Sequence, residues 1–148
     1  MAKAGPRAAS ALLTIGPFFP AGLAEAECRD LTRNGARGLP IVLGGRVLEA
    51  GAQPVRNAVV EIWQPDRDGL FAHPADPRAS EADPKFRFWG RCRTDTDGSY
   101  QFRTIMPGSR SDNTVGTRLP HINMMVLASG IMRRLVTTLF FADDPQAE

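Results

Sequence analysis

The amino-acid sequence predicts an all-β chain folded as an antiparallel β-sandwich, and three observations carry that expectation. Apolar and polar residues alternate over short runs: in "NAVVEIWQ", Val60, Ile62 and Gln64 share one face and Val59, Glu61 and Trp63 the other. Fourteen Gly and twelve Pro in 148 residues cut the chain into pieces too short for long helices. The candidate strands recur with turn chemistry between them, most clearly at Asp97-Gly98, a strong hairpin signal.

Taken in order, residues 1–38 are expected to form an N-terminal arm and linker, and residues 39–148 the sandwich. The arm carries Lys3 and Arg7, an apolar stretch and Ala24-Glu25-Ala26, which loosely imitates a secretory signal. Gly16, Pro17, Pro20 and Gly22 interrupt that stretch where a signal would be helical, so a cytoplasmic chain is expected. A helix is expected over Ala21 to Thr32. A strand follows from Ile41 to Ala50, a turn from Gly51 to Val55, and a second strand from Asn57 to Gln64. Pro65 to Phe86 is a polar loop with four prolines, long enough to be expected as functional or mobile. "RFWGRCRTD" and "TDGSYQFRTI" form a hairpin. Met106 to Pro120 is a second loop. His121 to Gly130 and Met132 to Phe141 supply the last strands, the latter rich in β-branched and aromatic residues.

The bulk properties exclude several functions. A net charge of +2 with scattered basic residues calls for no nucleic-acid or acidic partner. No uninterrupted apolar stretch is long enough to span a membrane. Cys28 and Cys92 are the only cysteines, so neither a disulfide framework nor a zinc knuckle is expected. Arg91 and Arg93 flank Cys92 but point to the opposite face of a strand, which leaves the thiol unactivated. No nucleophile elbow, P-loop or dinucleotide fingerprint is present.

Metal chemistry is limited by the ligand inventory. The chain holds two histidines, His73 and His121, and one tyrosine, Tyr100. Tyr100 just after the turn reads as packing, His73 as a solvated loop residue and His121 as a hydrogen-bonded structural histidine. Yet His121 and Asn123, two residues apart in a strand, look the same way, an arrangement that would clamp a metal if both were His. A zinc or non-haem iron site needs about three or more protein ligands, and these residues fall short of that number.

The segments "GGRVLEAGAQPVRNAVVEIWQPDRDGLF", "GRCRTDTDGSYQFRTIMPG" and "PHINMMVLASGI…LFFADD" are colinear and together resemble the intradiol ring-cleaving dioxygenases. The resemblance runs from about Thr14 to the C-terminus. It implies a prealbumin-like β-sandwich and, in catalytic chains, a ferric ion held by two Tyr and two His. Here the ligand positions read Phe71, the pair Ser109-Arg110, His121 and Asn123, so three of four ligands are absent. That pattern resembles the family's alpha-type chains. They pair with a homologous beta chain that carries Fe(III), in hetero-oligomers that cleave 3,4-dihydroxybenzoate with O2 to 3-carboxy-cis,cis-muconate.

The resemblance further implies that "TIGPFF" lies against the partner's active site. Thr14, Gly16, Pro17 and Phe18 would then touch the aromatic diol, Gly16 allowing close approach and Phe18 offering an aromatic wall. Family alpha chains commonly read A-R-G where this chain has Ala128-Ser129-Gly130. Ser129 therefore replaces an Arg suited to a substrate carboxylate, and Arg133 is the nearby candidate for that work. Family chains also continue past "FFADD" with further strands, so the sequence predicts either a fragment or an open sheet edge. The rival expectation is a non-enzymatic binding or scaffold module on the same sandwich; "TIGPFF" and "PHIN" favour the enzyme subunit.

Overall fold

A computed structural model of the chain describes residues 26–33, 35–112, 116–131 and 133–141, and these form eight β-strands. They are β1 Pro40–Arg46, β2 Val59–Trp63, β3 Trp89–Arg93, β4 Ser99–Ile105, β5 Arg110–Asp112, β6 Gly116–Arg118, β7 His121–Leu127 and β8 Leu135–Phe140. The only helical turn among the described residues is a 3-10 turn at Ala79–Glu81. No helix among them is long and apolar enough to cross a membrane.

Every pairing is antiparallel. One sheet has the order β3-β2-β7-β8, a second is β1-β4, and β5-β6 is a small separate hairpin. The two larger sheets pack face to face. Val60 and Ile62 of β2, Cys92 of β3, and Ile122 and Met124 of β7 meet Phe102 and Ile105 of β4 in one core. The alternation read in "NAVVEIWQ" sets which residues do this: Val60 and Ile62 turn inward, while Glu61 turns to the other face and pairs with Arg91. β1 follows the same rule. Ile41 and Leu43 pack on the core, whereas Val42 between them is exposed.

A polar bridge ties the sheets at one end. Gln64, fully buried just after β2, donates through Nε2 to the Ile105 carbonyl at 2.9 Å. Its Oε1 accepts from the Thr104 hydroxyl at 2.7 Å. Both polar ends of the side chain are therefore satisfied, which is what makes a buried carboxamide tolerable.

The structure departs from the sequence reading in several places. No helix forms over residues 26–32 of the expected Ala21 to Thr32 segment, and residues 21–25 lie outside the described residues. Instead Cys28 bridges to Arg91 and Asp30 to Arg103, and Leu31 is fully buried in the core. An extended segment that docks on two sheets outweighs a weak helical propensity. The expected Met106 to Pro120 loop contains the β5-β6 hairpin. Strands are also shorter than expected: the first stops at Arg46 rather than Ala50, and the last begins at Leu135 rather than residue 132.

The Pro65 to Phe86 loop is ordered by three buried aspartates. Asp66 Oδ1 accepts from the backbone N–H of Asp68 and Leu70, and Oδ2 from that of Asp83, all within 3.0 Å. Asp83 in turn accepts from the N–H groups of Arg37 and Lys85. Asp76 accepts from the N–H groups of Phe71 and Arg78. Carboxylates thus replace the backbone partners that a loop of this length lacks.

Candidate functional site

Two loops meet at the end of the sandwich that carries His121. The Asp66 carbonyl accepts from the N–H of Gly108 at 2.8 Å, joining the loop after β2 to the loop after β4. The approach depends on two glycines. A Cβ on Gly69, whose φ is +76°, would lie 2.1 Å from the Ser109 carbonyl oxygen, and one on Gly108 would lie 2.2 Å from that of Arg67. Neither distance is compatible with a side chain, so both positions require glycine for this contact.

The contact brings Arg110 over Phe71. Its Cζ stands 5.4 Å from the Phe71 ring centroid, within cation–π range. Its Nη1 donates to Asp76 Oδ2 at 2.6 Å. The Asp76 side chain is only 4% exposed. Burial works against its carboxylate, but the bonds from Arg110, Arg78 and Phe71 outweigh that and hold its pKa below the usual range. Ser109 itself is exposed, so the side chain that reaches Phe71 from this loop is its neighbour Arg110.

His121 opens β7 at the same end of the sandwich, near enough for the Arg110 charge to act on its ring. Its Nδ1–H donates to the Leu119 carbonyl at 2.7 Å, which leaves Nε2 as the acceptor nitrogen of a neutral ring. Burial pushes the imidazole pKa down; the Leu119 bond opposes this and the charges of Arg118 and Arg110 reinforce it. Asn123 lies on the same strand face, as the sequence reading expects, with Ile122 turned into the core. Its Oδ1 accepts from the Thr138 hydroxyl at 3.0 Å.

Tested against the ferric ion that the resemblance implies, this donor set does not fit. Phe71 offers no donor atom, Arg110 is a cation, and Asn123 Oδ1 is already engaged across to β8. One imidazole nitrogen remains, without the anionic oxygens that stabilise a trivalent ion. Among the described residues, no three His, Cys, Asp or Glu side chains converge as a metal site.

The remaining sequence candidates lie elsewhere. Ser129 and Arg133 are exposed in the β7–β8 connection. Six strand residues, roughly 20 Å, separate that end of β7 from His121, so they do not join the Phe71–Arg110 corner. Thr14, Gly16, Pro17 and Phe18 lie outside the described residues. Cys92 is fully buried, and burial pushes its thiol up to about 11, opposite to activation. His73 is exposed and accepts the Ala75 N–H within its loop.

The fold and the colinear motifs define an aromatic-ring dioxygenase scaffold, and the comparisons agree. The family model described as Dioxygenase matches residues 15–148. The chain is 39% identical over 123 residues to the protocatechuate 3,4-dioxygenase beta chain of Burkholderia cepacia, covering 78% of this chain and 52% of that one. It is 31% identical over 145 residues to the protocatechuate 3,4-dioxygenase alpha chain of Pseudomonas putida, covering 90% and 70%. A solved hydroxyquinol 1,2-dioxygenase from Pseudomonas putida DLL-E4 superposes with a TM-score of 0.64 at 29% identity, covering 93% of this chain and 50% of that one. The chain belongs to the intradiol ring-cleaving dioxygenase family. It spans about half the length of the first and third of these relatives.

Proposed function

We propose that this chain is a non-iron-binding, alpha-type subunit of a heteromeric enzyme similar to protocatechuate 3,4-dioxygenase. Its partner is a homologous beta chain that holds Fe(III), and the complex works in the cytoplasm. Together they cleave the ring of a catechol, with 3,4-dihydroxybenzoate as the first substrate to test, using O2 and giving 3-carboxy-cis,cis-muconate. The observation that carries this reading is the Phe71–Arg110–His121–Asn123 corner, where a family sandwich presents a guanidinium and a phenyl ring in place of anionic ligands. Similarity to both chains of the heteromeric relatives supports a paired assembly. The alternative of a non-enzymatic scaffold module has only the shared sandwich behind it.

The chain's own contribution lies away from the metal. Thr14, Gly16, Pro17 and Phe18 of the arm wall the partner's site against water and pack on the ring, and Arg133 stands where a carboxylate arrives. With Ser129 in place of an arginine, an unsubstituted or hydroxylated diol competes well with the acid, in keeping with the hydroxyquinol enzyme among the structural neighbours.

Steady-state kinetics on the complex purified by size tests the arm. Phe18→Ala is expected to raise KM for the diol with iron content unchanged, by a factor equivalent to ~1–3 kcal/mol of lost ring burial. An unchanged KM in the assembled complex removes the arm from the site and leaves the arm as an anchor only.

A further inference from the structure

The Phe71 corner is not simply stripped of a metal; it contains a cation of its own. Asp76 is a buried carboxylate that already accepts from two backbone N–H groups, at 3.2 Å from Phe71 and 3.0 Å from Arg78. Asp66 is held by three backbone donors, whereas Asp76 has two, and a counter-charge offsets the remaining cost of desolvating its carboxylate. Arg110 supplies it at 2.6 Å, and the same guanidinium covers the face of Phe71. The Arg110 side chain is itself largely covered, at 26% exposed. A planar guanidinium suits this place better than an ammonium, since it can stack on a ring and donate in a fixed direction at once.

We propose that the Arg110 guanidinium is a built-in cation that organises this corner in place of a metal ion. Held by Asp76 and Phe71, it fixes the loop after β2 against the loop after β4. It also keeps a permanent positive charge against Phe71 and Asp76, which works against an incoming metal cation in this corner. The order of the two loops therefore depends on a covalently attached cation and is independent of iron supply. This inference rests on reading the corner as metal-free, but it concerns the isolated chain and does not need the partner.

Thermal melts of the full chain and its variants test it. Arg110→Ala is expected to lower Tm by roughly 10 °C, the scale for stranding one partner of a buried pair in a domain of this size. Millimolar methylguanidinium should then recover about half of that loss, where sodium chloride at equal ionic strength does not. The Asp76→Asn/Arg110→Ala pair should show no such recovery. If Arg110→Ala does not fold, refolding yield with and without methylguanidinium gives the same comparison, and Arg110→Gln serves as the milder variant. The wild type should melt identically with EDTA or with added iron. The proposal is overturned if methylguanidinium acts no better than salt on Arg110→Ala, if the double variant responds equally, or if iron raises the Tm of the wild type. None of these outcomes depends on whether a beta chain exists, so they are separable from the subunit reading.

Discussion

Residue Asp76 shows how much one buried carboxylate can arrange. It joins the backbone of Phe71 and Arg78, both in the loop after β2, to the side chain of Arg110 at the start of β5. Its pKa and that of Asp83 are held below the ordinary 3.8, burial in each case opposed and outweighed by N–H donors and nearby cations. A carboxylate that binds its proton more weakly in the fold contributes fully above the unfolded value and loses its contribution as pH falls through the folded one. Tm should therefore be insensitive to Asp76 and Asp83 above about pH 5 and drop at more acid pH; Asp76→Asn should lower Tm at pH 7 and flatten the drop.

His121 acts in a different window. Its folded pKa is below 6.5, so the unfolded chain binds the proton first and stability declines as pH falls below 6.5. His121→Asn should lower Tm at neutral pH and remove the slope that sets in below the unfolded value of 6.5, measured by thermal melts in matched ionic strength. The His121–Asn123 arrangement was legible in the sequence because strand alternation is local. The Asp76–Arg110 pair was not: its members lie 34 residues apart and belong to no motif. The one available hint was a basic residue standing beside Ser109 at a position where a ligand was sought.

Elements are held in register here by loops that touch. Gly69 and Gly108 let the loop after β2 lie against the loop after β4, and a Cβ at either would strike a carbonyl oxygen closer than 2.3 Å. Gly108→Ala should destabilise by more than ~2 kcal/mol, since the collision is with backbone and cannot be relieved by a rotamer change. Gly51→Ala is the control: no atom lies within 4 Å of its would-be Cβ, so only the strain of its φ of +82° is felt, about 1 kcal/mol. Urea denaturation of both variants gives the comparison. The strands themselves were readable from period-two patterning and from Asp97-Gly98. The extended run through Cys28 to Leu31 was not, because its partners Arg91 and Arg103 are more than sixty residues away and local propensity favours a helix there.

At the level of the whole molecule, the sandwich core and the closed corner point the same way. Phe102 is fully buried between the sheets, and Phe102→Ala should cost about 3–5 kcal/mol, a global loss seen equally by every probe of unfolding. Such a loss would leave the metal question untouched, whereas the corner bears on it directly. On the function proposed above, a family member that keeps the fold but fills its ligand corner with Arg110, Asp76 and Phe71 contributes surface and loops to an iron site held by a homologous chain. The most direct measurement is the iron content and visible spectrum of the isolated, folded chain, taken after reconstitution with iron and with a thermal melt on the same sample. The account predicts a colourless protein without stoichiometric iron and with a cooperative transition. Stoichiometric ferric iron with a visible tyrosinate-to-iron band in that sample would contradict it.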